Sequence, residues 1–210
     1  MFYNITMETK LYKKYEIDEI VNALSKGDII AFPTDTVFGL GCVSDNLESI
    51  NKIKKAKGRD ENKPLPMMCS NIEMIAKVAM VNDKALKILK KYTPGAITVI
   101  LNKLDSVPSY VTNGFKTIGI RIPNDPMILE IINKLNKPLL VTSANISNTP
   151  SLKYYRDVYK ELNEKIDGLV MENALSETAS TIIDLTSEEI KILRQGIITE
   201  EEIRGCLNEK

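Results

Sequence analysis

Apolar positions along the chain recur with two different periods, and stretches of the two periods interleave from end to end. Residues 1–15 are polar with scattered Lys and Tyr, an edge strand or an extended arm. Ile17, Ile20, Val21 and Leu24 then fall at helical spacing, with Gly27 just beyond as a stop. The run Asp28-Ile-Ile-Ala-Phe32 follows, breaks at Pro33 into the polar tip Thr34-Asp-Thr36, and returns through Val37-Phe-Gly-Leu-Gly-Cys42. Two short apolar segments around polar side chains predict strand, functional turn, strand; the plain alternative is an ordinary hairpin with a Thr-rich turn. Gly39 and Gly41 would let a backbone or a ligand come close.

Further along, Ser44 or Asp45 is placed to cap a helix with Leu47, Ile50 and Ile53 on its apolar face. Gly58 should stop that helix and project Lys57 and Arg59 from a loop running to Pro64. Leu65–Cys69 reads as a strand. Ser70 or Asn71 would cap a helix through Val78, and a second helix spans residues 83–91 with Leu86, Ile88 and Leu89 toward the core. Thr93-Pro-Gly-Ala96 is a turn before the strand Ile97–Leu101. Residues 102–116 form a long polar loop, of a kind that often carries function. Thr117–Ile122 alternates until Pro123, which places Arg121 at a strand's C-terminal end. Asp125-Pro126 opens a helix with Ile128, Leu129, Ile132 and Leu135 as its stripe. The strand Pro138–Val141 opens into Thr142-Ser-Ala-Asn145, then a Pro-bearing turn and a helix over 152–164, the position where open α/β sheets hold ligands. Strands at 168–171 and 180–184, a hairpin partner at 190–194 ended by Gly196, and a helix capped at Thr199 complete the pattern. With no repeat or linker, this is one α/β domain.

Composition narrows the chemistry. The 210 residues contain no histidine, which excludes Ser-His-Asp and Cys-His catalysis and histidine metal sites. Cys42, Cys69 and Cys206 have no C-x-x-C spacing and suggest neither a metal site nor a disulfide framework. Apolar runs are far too short to span a membrane. The first residues lack the basic region and apolar core of a signal peptide, so a cytoplasmic protein is expected. With 28 basic and 28 acidic residues, bulk charge does not point to nucleic acid.

Polar tips nonetheless gather at the ends of apolar elements: Thr34 and Thr36, Lys57 and Arg59, Thr117 and Arg121, Ser143 and Asn145, joined by Ser180 and Arg194. Cations with hydroxyl and amide donors at one end of a sheet suit a polyphosphate or a carboxylate. Each also has a plain counterpart: a solvated helix end for Lys57 and Arg59, an ion-pair partner for Arg121, a cap and turn for Ser143 and Asn145. There is no G-x-x-x-x-G-K-[ST], and Gly39-x-Gly41-x-x-Ser44 lacks the third glycine of a dinucleotide fingerprint. The residues alone argue for an anion-binding α/β protein.

The run Phe32-Pro-Thr-Asp-Thr-Val-Phe-Gly-Leu-Gly41 resembles the signature of the YrdC/Sua5/TsaC family. Lys57-Gly-Arg59 with Lys63-Pro-Leu65, Thr93-Pro-Gly-Ala-Ile-Thr98, Ile120-Arg-Ile-Pro123, Thr142-Ser-Ala-Asn145, Ser180-Thr-Ile-Ile-Asp184 and Leu193-Arg-Gln-Gly196 resemble its further elements, in family order from 28 to 196. Asp60 departs from a common Pro, Asn148 from a Gly, and Met68 lies near where some members carry His. The resemblance implies one YrdC-like domain over 1–210, a twisted mixed sheet flanked by helices with a concave ligand-binding face. It is closest to the short TsaC-like form, without the C-terminal Sua5 domain.

The resemblance further implies an L-threonylcarbamoyladenylate synthase, a nucleotidyltransferase that uses L-threonine, bicarbonate and ATP with Mg²⁺ held mainly through the phosphates. Its product passes to a tRNA threonylcarbamoyltransferase for the N6-threonylcarbamoyl modification of tRNA. By the same resemblance Lys57, Arg59, Ser143 and Asn145 are catalytic. Arg59, Lys63, Thr117, Ser143, Ser151 and Arg194 hold ATP. Thr34, Thr36, Arg121, Val141 and Ser180 hold threonine, with Val37 near its methyl group. The competing reading is an RNA-binding translation or ribosome-maturation factor without catalysis, and weak RNA or tRNA binding is an expectation under either. A second is the related carbamoyl-adenylate chemistry of hydrogenase-maturation proteins.

Overall fold

The computed structural model describes residues 8–208, so the reading of residues 1–7 as part of an arm lies outside it. In chain order the elements are β1 (Lys10–Tyr12), α1 (Ile17–Ser25), β2 (Ile30–Phe32), β3 (Gly39–Val43), α2 (Leu47–Lys57), β4 (Met67–Met68), α3 (Ile72–Ala76), α4 (Asp83–Tyr92), β5 (Ile97–Asn102), β6 (Thr117–Arg121), α5 (Pro126–Leu135), β7 (Leu139–Ser143), α6 (Tyr155–Leu162), β8 (Gly168–Val170), β9 (Thr181–Asp184), β10 (Lys191–Arg194) and α7 (Glu200–Asn208). All ten strands join one mixed sheet in the order β1-β8-β2-β3-β7-β4-β6-β5-β9-β10. The two local pairs read from the sequence, β2–β3 and β9–β10, are antiparallel neighbours.

Because successive strand residues face opposite ways, each strand sorts its side chains between two layers. Ala31, Leu40, Cys42, Val99, Ile120, Leu140 and Ile183 face the larger core, closed by Ile50 and Ile53 of α2, Ile88 and Leu89 of α4, Val158 and Leu162 of α6 and Ile203 of α7. Ile30, Phe32, Val43, Leu139 and Val141 face the other way, against Ile20 and Leu24 of α1 and Ile128, Ile131 and Ile132 of α5. These two helices pack on each other and cover only part of their side of the sheet. Thr98, Thr117, Gly119, Arg121 and Ile182, on that same side, line open recesses instead.

Local chemistry sets the boundaries and corrects several of them. Asn46, not Ser44 or Asp45, caps α2: its side chain accepts from the Ser49 N–H at 3.0 Å, while the Ser44 N–H is still bonded to the Pro138 carbonyl. Leu47 at the head of that helix is exposed, so its apolar face begins at Ile50. On α5 the buried stripe is Met127, Ile128, Ile131 and Ile132, with Leu129 and Leu135 at its margins. The helix expected over 152–164 is shorter, Tyr155–Leu162. The loop 102–116 is not open: Val107 and Val111 are buried, and a short 3-10 turn spans Ser109–Val111. Among the described residues no helix is long and apolar enough to cross a membrane.

Candidate functional site

The uncovered part of the sheet floors a cleft of about 340 Å³, walled by strand residues and by the loops beside them. Thr34, Thr36, Arg59, Arg121, Val141, Ser143, Ser151, Ser180 and Arg194 all line it, together with Val37, Pro64, Pro66 and Met68. A polar recess of about 170 Å³ adjoins, lined by Lys57, Arg59, Lys63, Ser143, Asn145, Ser147, Asn148, Thr149 and Ser151. Arg59, Ser143 and Ser151 line both spaces. Thr117 stands apart in a third, mostly apolar recess of about 120 Å³ with Thr98, Gly119 and Leu65, which shares Pro64, Pro66 and Ile182 with the cleft.

The turn between β2 and β3 closes on its own side chain. Thr34 Oγ1 accepts from the Thr36 N–H at 3.0 Å and donates to the Val37 carbonyl at 2.7 Å. With that proton committed, the Thr36 hydroxyl is the donor in its 3.1 Å contact with Thr34 Oγ1. The Arg121 guanidinium then fixes the turn to the sheet. It donates to Thr36 Oγ1 at 2.7 Å, to Asp35 Oδ1 at 2.7 Å and to the Gly95 carbonyl at 3.0 Å. The Arg121 and Asp35 side chains are 6% and 8% exposed. Burial pushes the Arg121 guanidinium below its ordinary value and Asp35 opposes the shift; an arginine remains charged regardless. In the sequence Asp35 is only the middle residue of the polar tip Thr34-Asp-Thr36. The signal that singles it out is the need of a buried arginine for a counter-charge.

Opposite this pair, Arg194 of β10 donates from Nε to the Ser180 carbonyl at 3.0 Å and from Nη2 to Ser180 Oγ at 3.2 Å. Ser180 Oγ also shares a 2.8 Å contact with the Thr98 hydroxyl. Burial first, and then the charge of Arg121, push Arg194 down. The Arg121 charge thus reaches Arg194, and an anion held beside Arg194 would offset it. The segment after β8 crosses the rim: the Leu175 N–H donates to the Thr34 carbonyl and the Ser176 N–H to the Thr36 carbonyl.

Arg59 bridges cleft and recess, with Nη2 bonded to the Pro64 carbonyl at 3.0 Å. Lys57 does not project from a loop as the sequence suggested. Gly58, in the left-handed region at φ 56°, turns the chain out only after α2 ends, and Lys57 still belongs to the helix face that points inward. Its side chain is fully buried, and the ammonium donates to the Ser143 and Asn145 carbonyls. Burial, then the Arg59 charge, bring it down to about 8, with Glu161 opposing. Asn145 Nδ2 donates to the Ile146 and Thr149 carbonyls at 2.9 Å, and so holds the turn rather than facing outward. Asn148 has φ 69°, a left-handed conformation that Asn tolerates, so the departure from Gly keeps the backbone course.

Gly39 and Gly41 make room for neighbours in the core. A Cβ on Gly39 would lie 2.9 Å from Val141 Cγ1, and one on Gly41 2.8 Å from Phe32 Cζ. The close approach expected at these glycines is that of packed side chains. Met68 is buried in the cleft wall and offers it a thioether. Cys42 and Cys69 are buried thiols pushed up to about 12 and contribute no nucleophile.

Comparison with known proteins follows this geometry. The Sua5/YciO/YrdC family model, described as telomere recombination, matches residues 22–196. A protein of Methanocaldococcus jannaschii is 33% identical over 210 residues, covering 95% of this chain and 99% of its own. The threonylcarbamoyl-AMP synthase of Bacillus subtilis is 32% identical over 195 residues, covering 91% of this chain and 56% of its own. The structure of Pyrococcus abyssi Sua5 complexed with L-threonine superposes with a TM-score of 0.88 at 29% identity, covering 96% of this chain and 61% of that one. The chain thus spans nearly all of the first and under two thirds of the other two.

Proposed function

The chain belongs to the Sua5/YciO/YrdC family, and on that premise we propose that it is an L-threonylcarbamoyladenylate synthase. The carrying observation is the junction of two unlike spaces at Arg59, Ser143 and Ser151. One has the Arg121, Thr36 and Val141 walls that suit a small hydroxyl-bearing amino acid. The other has the cations, hydroxyls and amides that suit polyphosphate.

The threonine carboxylate lies against Arg121, its methyl group rests on Val141 and Val37, and Arg194 reaches the nucleotide. Its amine attacks the bicarbonate carbon; water leaves and an N-carboxy group forms. That carboxylate attacks the α-phosphorus of ATP, the bond to the β-phosphate bridge oxygen breaks, and pyrophosphate leaves. Both nucleophiles come from substrates, which suits a chain without histidine. The protein's task is to position the reactants and to offset charge at the α-phosphorus. Arg59, which lines both spaces, offsets that charge, and the Ser143 and Ser151 hydroxyls bond phosphate oxygens. The nucleoside extends along the apolar recess toward Thr117.

The polar recess carries no carboxylate, and among the described residues no group of three or more His, Cys, Asp or Glu is arranged to hold a metal ion. It fits a Mg²⁺ that arrives on the phosphates, where the ion supplies charge neutralisation.

The test is pyrophosphate release by the purified protein with ATP and Mg²⁺, with L-threonine or bicarbonate left out in turn. Release that needs both supports the reading, and Arg59→Ala should lower it by at least about a hundredfold, the scale of losing one electrostatic stabiliser. A folded protein that releases none under any combination overturns it and favours RNA binding.

A further inference from the structure

The turn Ser143–Thr149 presents the Ser143 hydroxyl to both spaces, yet much of what holds it lies outside them. From the recess side, Lys57 takes the carbonyls of Ser143 and Asn145. From the far side, a carboxylate oxygen of Glu161 on α6 accepts the Ile146 N–H. The Ser147 N–H donates to the Lys57 carbonyl at 2.9 Å, so α2 grips the turn through main chain as well. Glu161 lines neither the cleft nor either recess. Carbonyls on a cation and an amide on an anion are charge-assisted bonds of opposite sense, and together they fix both edges of one short turn.

We propose that Glu161 is a positioning residue for the polyphosphate recess, which it serves by holding the Ile146 amide against the pull of Lys57 on the flanking carbonyls. The proposal rests on the reading of that recess as the nucleotide's phosphate site. It assigns no contact between Glu161 and any ligand. Two orphaned atoms suit the same picture: Asn145 Oδ1 and Ser147 Oγ are buried without a partner. A turn that leaves such groups unpaired is held in place by something stronger than its own bonds.

The experiment uses the full chain with two variants, Glu161→Ala and Glu161→Gln. Gln keeps an acceptor for the Ile146 amide and gives up the charge. Steady-state pyrophosphate release gives KM for ATP and for L-threonine separately. Amide exchange at Ile146, read by NMR, needs no ligand. Glu161→Ala should raise KM for ATP by about tenfold or more, the scale of one charge-assisted bond, and leave KM for threonine unchanged. It should speed Ile146 exchange, with Glu161→Gln intermediate in both readouts. General loosening would move both KM values together, and that result, or no change in either, overturns the proposal. A wild-type protein that releases no pyrophosphate defeats the assigned activity instead; exchange at Ile146 then decides on the clamp, unchanged protection sinking it and faster exchange sustaining it.

Discussion

Arg121 and Asp35 form a buried pair whose members depend on each other. Removing one charge leaves the other buried and uncompensated, at a cost of about 3–5 kcal/mol. Arg121→Met should therefore unfold at markedly lower urea, and Arg121→Met with Asp35→Asn should recover part of that loss. A double variant no more stable than the single one would count against a coupled pair. Lys57 makes a prediction in pH. Its folded value of about 8 lies below the ordinary 10.5. Between those values the unfolded chain binds more protons, so this group makes stability rise as pH climbs from about 8 to about 10.5. Below about 8 it stays charged in both states and adds no slope. Urea midpoints of wild type and Lys57→Met, compared at the two ends of that window, should differ in slope, with the rise missing in the variant. At this scale the sequence was legible for position and less so for partners. The strand period puts Arg121 at a C-terminal end facing the cleft. Nothing in linear order says that Asp35 lies 2.7 Å from it, or that Lys57 turns inward to the Ser143 and Asn145 carbonyls while Arg59 reaches both spaces.

Strands and helices were read most surely where their signals are local. Asp125 with Pro126 starts α5 as expected, and Thr199 with Glu202 makes a reciprocal cap at α7, Thr199 Oγ1 accepting from the Glu202 N–H and Glu202 from the Thr199 N–H. The Asn46 cap escaped notice because Ser44 and Asp45 are equally good cap residues; the choice is made by where β3 stops pairing with β7. The role of Gly41 was also hidden, since a strand glycine reads alike whether a ligand or a neighbour fills the space. Here the neighbour is the Phe32 ring, fully buried. Gly41→Ala should cost about 1–3 kcal/mol through overpacking, measured as a shift of the urea midpoint. A neutral substitution would mean that Phe32 can move aside.

At the scale of the molecule, the sheet order was the least legible feature. Pairs such as β3–β7 and β5–β9 join segments far apart in the chain, and the alternation that sorts side chains into layers does not say which strand lies beside which. The recognised motifs named residues that share one cleft and its adjoining recess, but gave no strand order. One feature of the cleft rim has a consequence for how the protein is made. The Thr34 and Thr36 carbonyls are capped by the amides of Leu175 and Ser176, and Ser180 and Arg194 supply the wall opposite Arg121. During synthesis from the N-terminus, the turn leaves the ribosome long before these partners do. A nascent chain therefore has no complete pocket to offer. Substrate can guard the finished protein against unfolding by mass action, but it cannot act as a template while the chain is still being translated.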